Sequence, residues 1–235
     1  MTIEPKGKEN RAVSLFLFVN FTFIALLFLQ ASAGAETFHY AIVQWGFKAG
    51  DATISNTGPV VYRGQQTFLI VFKAQAINFW DEEKIYADPR DFYPLFVERD
   101  LNIFGQKEKI LEVYDRTKSE IRVTKTAGDK QTEQVIKRSG SVDNIYGFIY
   151  RYRKSGSFKI GSVLDIVLPT KDLKIKLVKR SNLNVMGRHY DSFYMQSHPA
   201  QYKIWFDSAA QKWPLRISGA VGIANTIMEM TGHDE

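Results

Sequence analysis

From Phe38 onward, apolar and polar residues alternate through most of the chain, and a side-chain period of two confines those stretches to extended backbone. Phe38, Tyr40 and Ile42 share one face of the first run, with His39, Ala41 and Val43 on the other. Gln66 to Ala76 (QTFLIVFKAQA) is more uniformly apolar, as in a strand covered on both faces. Ile110, Glu112 and Tyr114 alternate with Leu111 and Val113, and Ile121 and Val123 with Arg122 and Thr124. In DLKIKLVKR, Leu173, Ile175 and Leu177 face one way while Lys174 and Lys176 face the other.

Turn-forming residues separate these runs at Gly46, Asn56-Thr57-Gly58-Pro59, Arg63-Gly64, Asp88-Pro89-Arg90-Asp91, Phe104-Gly105, Ala127-Gly128-Asp129, Ser181-Asn182 and Asp207-Ser208. About a dozen short strands at this spacing predict an antiparallel assembly, not a βαβ wind. One segment has a different period. Ile145, Phe148, Ile149 and Tyr152 fall at i, i+3, i+4 and i+7, which predicts a helix from Asp143 to Lys154. Asp143 is placed as N-cap, Arg151, Arg153 and Lys154 suit the C-terminal end, and Ser155-Gly156 stops it. The expected fold is all-β and mainly antiparallel: a strongly curved sheet or incomplete β-barrel with one short helix packed on its concave side. No linker composition interrupts residues 36–235, so they are read as one domain.

The N-terminal residues have another character. Lys6, Lys8 and Arg11 precede Ala12 to Leu29, which holds no charged residue, and Ala31-Ser32-Ala33 and Ala33-Gly34-Ala35 offer small-x-small cleavage sites. This is the pattern of a secretory signal peptide over residues 1–35, cut after Ala33 or Ala35, and it predicts export to the periplasm. An uncleaved inner-membrane anchor is the alternative, although eighteen residues reach only about 27 Å as a helix. Without residues 1–35 the formal net charge falls from +6 to +5. That mild excess suits the neighbourhood of an anionic membrane or cell-wall polymer; no nucleic-acid motif is present.

The absence of cysteine rules out disulfides, thiol nucleophiles and thiolate-bound metals. Neither G-x-S-x-G, H-E-x-x-H, G-x-x-x-x-G-K-[ST] nor G-x-G-x-x-G occurs. His189 and Asp191 would share a strand face, but beside Tyr190 they fit a polar surface better than a metal site. Asp81-Glu82-Glu83, with Asp88 and Asp91, could in principle supply paired carboxylates for glycoside cleavage. Consecutive acids point to different faces, so the run is read instead as a solvated turn. Lys171, Lys174, Lys176, Lys179 and Arg180 would form a basic patch if they met Arg151, Arg153 and Lys154. Trp45, Trp80, Trp205 and Trp213 could line a cavity of a curved sheet, or simply pack.

Several phrases taken in order carry a resemblance: FHYAIVQWGFKAGDATI, EVYDRTKSEI, DNIYGFIYRYRK, GSVLDIVLP, RSNLNVMGRHYDSFYMQ and YKIWFDSAAQKWPLRISGAVGIANTIMEM. Together they resemble an exported bacterial family known as domain of unknown function 3108, over nearly all of residues 38–230. The family pattern has a small-residue A-G-x-A turn, here Ala49-Gly50-Asp51-Ala52. It has an acidic residue opening a helix, here Asp143, with Tyr150, Arg151 and Arg153 along it. It ends in a hairpin, here Ile204-Trp205-Phe206-Asp207 to Pro214. Asn144-Ile145 departs from the small or Ser residues expected after that acid. The resemblance implies a periplasmic protein without an assigned reaction, and it carries over no catalytic, metal-binding or cofactor-binding residue. Physically, Gly50 suggests a turn or bulge with unusual dihedrals. The reading as a whole predicts a non-catalytic envelope protein that binds an apolar or amphipathic ligand, such as lipid, or an envelope protein partner. A structural interaction module and a cell-wall polymer hydrolase are its rivals.

Overall fold

A computed structural model describes residues 35–221 and 226–235. The expected signal segment, up to Gly34, lies outside the described residues. The strands are β1 (Glu36–Gln44), β2 (Phe47–Tyr62), β3 (Gln65–Ala76), β4 (Phe79–Ala87), β5 (Pro94–Ile103), β6 (Gln106–Asp115), β7 (Glu120–Ala127) and β8 (Lys130–Lys137). A helix, α1 (Ile145–Ser155), follows them. Then come β9 (Val163–Leu168), β10 (Lys171–Val185), β11 (Arg188–His198), β12 (Lys203–Asp207), β13 (Pro214–Ser218) and β14 (Thr226–Asp234). All fourteen strands form one antiparallel sheet in the order β8 to β1, then β14 to β9. Each half is a meander, and β1 joins them by pairing with β14. The sheet does not close: β8 and β9 are its edges, and α1 joins them in sequence. No helix among the described residues is long and apolar enough to cross a membrane.

The alternation assigns the faces as expected. Phe38, Tyr40, Ile42, Ile70, Phe72, Ile85, Val97, Ile175, Leu177, Met195, Ile204, Phe206 and Met228 point inward and are buried. The two edges are protected differently. β8 is almost wholly exposed and carries Lys130, Glu133 and Lys137, while β9 is only six residues long. Backbone and side-chain bonds tie the chain around α1 to β9. Arg138 donates from Nε and Nη2 to the Leu168 carbonyl (3.1 and 2.8 Å), and the Asp143 amide donates to the Val167 carbonyl (2.6 Å).

Two expected turns are strand interior instead. Asn56-Thr57-Gly58-Pro59 lies within the sixteen residues of β2, where the Asn56 side chain accepts from the Gly58 amide (3.0 Å) and the register slips by one. The local Asx bond and the +84° φ of Gly58 make a bulge rather than a reversal. Ser181-Asn182 continues β10, which turns only at Met186-Gly187. Their side of the ladder is satisfied by β11, where Ser181 pairs with Ser192.

The helix starts later than Asp143. Asn144 is the N-cap, its Oδ1 accepting from the amides of Tyr146 (2.9 Å) and Gly147 (3.3 Å). Asp143 has a backbone bond to β9 and cannot cap, since its side chain is held by Arg151. The predicted stripe of Ile145, Phe148, Ile149 and Tyr152 is buried, and so are Tyr146 and Tyr150. The helix lies against the concave side and touches both halves of the sheet. Tyr146 stacks on Phe72 of β3 (4.0 Å between ring centroids), and Tyr152 meets Phe206 of β12 (5.8 Å). At its end Gly156 passes so close to Tyr152 that a Cβ would sit 2.4 Å from its carbonyl oxygen.

Asn144 holds two jobs at once: it caps α1, and its Nδ2 donates to Glu83 of β4. Asn144→Ala therefore removes a cap worth about 1 kcal/mol and leaves a buried carboxyl without a donor at about 1–2 kcal/mol more. Urea unfolding should show a loss of about 2–3 kcal/mol, well beyond that of an ordinary surface alanine substitution.

Candidate functional site

The acids expected in a solvated turn stand in β4, where the strand period sends Glu82 outward and Asp81 and Glu83 to the concave face. Their burial follows from flanking apolar residues of the same phase, Phe79 and Ile85. Arg99, on the neighbouring β5, lies in the same layer and grips Asp81 with two parallel bonds, Nε to Oδ1 (2.8 Å) and Nη2 to Oδ2 (2.6 Å). Its Nε is 3.8 Å from Glu83 Oε2. On β6, Glu112 accepts from the Tyr114 hydroxyl. Three carboxyl groups thus surround one guanidinium beneath the N-terminus of α1.

One cation cannot balance three anions in a dry site. Burial pushes Glu83 up to about 7, with Arg99 pulling the other way and the nearby Asp81 and Glu112 adding to the rise. Burial also raises Glu112. Around neutrality Glu83 is about half protonated, which lessens the negative charge gathered around Arg99.

The residues singled out from the resemblance do not meet in one place. Gly50 lies in β2 facing Ile42 and Ala76; its φ is not positive, so unusual dihedrals are not its role. A Cβ there would sit 2.1 Å from the Gln75 carbonyl oxygen, and the expected bulge lies beside it, at the Ile42/Val43 shift in register. Asp143 and Arg151 form a pair (2.6 Å) with the guanidinium 4.2 Å above the Tyr93 ring. Burial raises Asp143 to about 6 against the pull of Arg151. Tyr150 packs between Phe68 and Phe92, its oxygen 3.4 Å from Asn56 Nδ2. Arg153 binds both oxygens of Glu36 (2.6 and 2.5 Å) and lies over Phe38. Trp205 is on the outer face against Tyr194, Asp207 caps the β12–β13 turn by accepting from the Ala209 amide, and the Pro214 carbonyl receives the Tyr40 hydroxyl (2.9 Å). These are seating contacts between α1, the turns and the sheet.

Other groupings also separate. Arg151 and Arg153 are committed internally, so they do not join the β10 lysines in a basic patch; Lys174 pairs with Asp165 and Lys171 donates to Gln201. Asp88 is held by Arg90 and Asp91 by Arg116, away from the Asp81–Arg99 pair. Trp45 is exposed at a hairpin tip and Trp213 stacks near His233, so the four tryptophans line no common space. His189 and Asp191 are exposed and belong to no metal-competent cluster among the described residues. The donor atoms of Glu36, His233 and Glu235 do lie within 4.8 Å of one another. Both Glu36 oxygens already receive Arg153, though, and a guanidinium at those atoms repels a second cation. Burial raises Glu36, and the bonds and charge of Arg153, with His233, more than offset that, so its carboxyl is lowered overall.

Two open clefts, of about 330 and 350 Å³, run along the outer face of β4–β7. They share Asp100 and Lys109; Glu82 and Lys84 line the first, Trp80 and Asn102 the second. Sequence reasoning missed the Asp81–Arg99–Glu83–Glu112 cluster. The signal was there in the matched phase of Asp81, Glu83 and Ile85 on one strand.

No family model and no curated protein matches the chain. Among solved structures it is similar to a β-barrel-like protein of domain of unknown function 1849 from Brucella abortus. The two are 7% identical with a TM-score of 0.47, over 85% of this chain and 97% of the other.

Because Glu83 and Asp143 hold protons above their unfolded values of 4.5 and 3.8, these two groups bind more protons in the folded than in the unfolded chain from about pH 4 up to about pH 7. Their contribution to stability is present below that window and is lost as pH rises through it, while that of Glu36 and Asp88, whose carboxyls are held low beside Arg153 and Arg90, is lost in stronger acid. Melting temperature should decline between pH 5 and pH 8, and Glu83→Gln, which retains an acceptor for Asn144, should flatten the decline by at most about 3 kcal/mol. A wild-type melting temperature that climbs over this range contradicts the assignment.

Proposed function

We propose that this chain is a non-catalytic protein of the cell envelope that works by binding an amphipathic partner at its surface. One observation carries the reading. The inward ionisable groups are each taken up by another side chain, as Asp81 by Arg99, Glu83 by Asn144 and Glu36 by Arg153, while large apolar side chains stand in solvent at the hairpin tips. A catalyst needs a group free to meet substrate; a carboxylate locked in a bidentate ion pair on the side covered by α1 is poorly placed for it. The concave side holds α1, so the outer clefts and the tips remain for recognition. The resemblance to the exported domain of unknown function 3108, the basic start of the chain and its apolar run support an envelope location.

The rival is a cell-wall polymer hydrolase drawing on Glu83, whose raised carboxyl suits a general acid. Complementation of a deletion strain separates the two. Glu83→Gln and Glu112→Gln preserve shape and cannot ionise, and both should restore growth fully under envelope stress. Loss of complementation by a variant that melts like the wild type would transfer the function to the acid cluster.

A further inference from the structure

The strand register brings alternate hairpins to one end of the sheet. Gln44 and Phe47 close the β1–β2 hairpin over Trp45-Gly46, Ala76 and Phe79 close β3–β4 over Ile77-Asn78, and Ile103 and Gln106 close β5–β6 over Phe104-Gly105. Phe79 pairs with Ile103, so the β3–β4 and β5–β6 tips stand level, and because Gly50 pairs with Ala76 the β1–β2 tip reaches further out in the same direction. Neighbouring tips are two strands apart, about 10 Å. Trp45 is 78% exposed, Phe47 79%, Ile77 87% and Phe104 78%.

Neither packing nor turn chemistry accounts for these residues. Trp45 and Phe104 take left-handed φ of +50° and +51°, followed by glycines at +85°. Positions like these favour Asn or Asp, and a bulky side chain there is strained. The same sheet contains its own control. At the opposite end of these strands, Arg63-Gly64 makes the same turn with φ of +49° and +77° using a charged residue. The neighbouring turns at that end are Asp88-Pro89-Arg90-Asp91 and Arg116-Thr117-Lys118-Ser119, both polar; Phe92, which follows the first with φ of +58°, packs inward on Phe68 and Tyr150. Met186-Gly187, in β10–β11 at that same opposite end, takes similar angles with an exposed methionine, so the polar contrast holds for the turns of β2–β7 alone.

We infer that the Trp45, Phe47, Ile77 and Phe104 tips form a docking rim for the surface of an anionic lipid bilayer. This deepens the proposed binding role by naming the partner. Separate prongs about 10 Å apart can each enter a fluid interface, whereas a protein partner is matched best by one continuous patch. Trp and Phe favour the boundary between head groups and acyl chains. Exposed lysines stand beside the tips: Lys48 next to Phe47, Lys107 past Phe104-Gly105, and Lys130 past the adjoining Gly128-Asp129 turn. Asp51, which pairs with Lys48, and Asp129 only partly offset them, and the chain as a whole carries +6. A positive collar around apolar prongs is complementary to anionic head groups. Glu36, where the preceding segment joins the domain, lies at the far end of β1 from the rim.

The absence of cysteine permits clean labelling. Ile77→Cys and Thr117→Cys in the full chain, each carrying an environment-sensitive fluorophore, report the two ends separately. With vesicles of phosphatidylcholine containing about one third phosphatidylglycerol, the label at position 77 should brighten and shift to the blue while that at position 117 does not. Attachment through the N-terminal segment would light position 117 instead and overturn the proposal, as would equal responses at both ends. Trp45→Asn combined with Phe104→Asn keeps Asn-Gly turns, so melting temperature should hold or rise while vesicle affinity drops at least about tenfold. Unchanged affinity in that variant removes the rim, and a dimer that it dissociates reassigns the rim to a second copy. None of these results touches the complementation test, so a failed bilayer leaves the non-catalytic reading to be judged on its own.

Discussion

A sheet of fourteen strands that does not close has a long concave face to cover, and here α1 covers it. Eleven residues are too few for a helix stable by itself in water. What holds it is burial. Ile145, Tyr146, Phe148, Ile149, Tyr150 and Tyr152 are all buried against the sheet, and at about 1.5–3 kcal/mol for each large side chain they contribute on the order of 10 kcal/mol before entropy. Those contacts reach β3 on one half and β12 on the other, so the helix also holds the two meanders in one curvature. Among the described residues the β1–β14 pairing is the ladder that joins the halves, and α1 adds the apolar link across them.

Burial alone does not say where along a concave face a helix should sit. The polar contacts do. At the N-terminus, Asn144 reaches Glu83 on β4 and Asp143 is bonded to β9; at the C-terminal end, Arg153 reaches Glu36 on β1. Ion pairs in such places add little net stability, because desolvation offsets most of the attraction. Their directionality nevertheless fixes register: a helix moved by one turn would leave a guanidinium and several carboxyl groups buried without partners, which is far more costly than a shifted hydrophobic contact.

Much of this architecture was legible in the residues. Alternation located most of the strands and their inward faces correctly, from Phe38, Tyr40 and Ile42 to Leu173, Ile175 and Leu177, because a one-residue slip would exchange the faces wholesale. The i, i+3, i+4, i+7 stripe found the helix, since that spacing has no meaning in a strand. What composition alone could not resolve was the use of polar residues. Asp81-Glu82-Glu83 read as a turn because acids are usually solvated, and only a partner far along the chain, Arg99, lets two of them face inward. Asp143 looked like a cap, yet Asn144 can both accept from the helix amides and donate to a carboxyl, which an aspartate cannot. Asn56 to Pro59 carried turn chemistry that a long strand absorbed as a bulge. Among the candidate positions, Gly50 lies where backbone approaches backbone, Asp143, Tyr150, Arg151 and Arg153 where the helix meets the sheet, and Trp205 and Asp207 on the outer face and in a turn.

Two groups of residues break local rules, and the difference between them is informative. Charged side chains on the concave face violate the expectation for a core, but each finds compensation inside the chain: Arg99 for Asp81, Asn144 for Glu83, Arg153 for Glu36. Aromatic side chains in left-handed, solvent-exposed turns violate both steric and hydrophobic expectation, and the described residues supply no compensation for them. A sequence that places Arg-Gly on an equivalent turn at the other end of β2 has an equally strained but more soluble solution available. Where a fold solves the same backbone problem in two ways within one sheet, the costlier solution belongs to whatever meets that end of the molecule from outside.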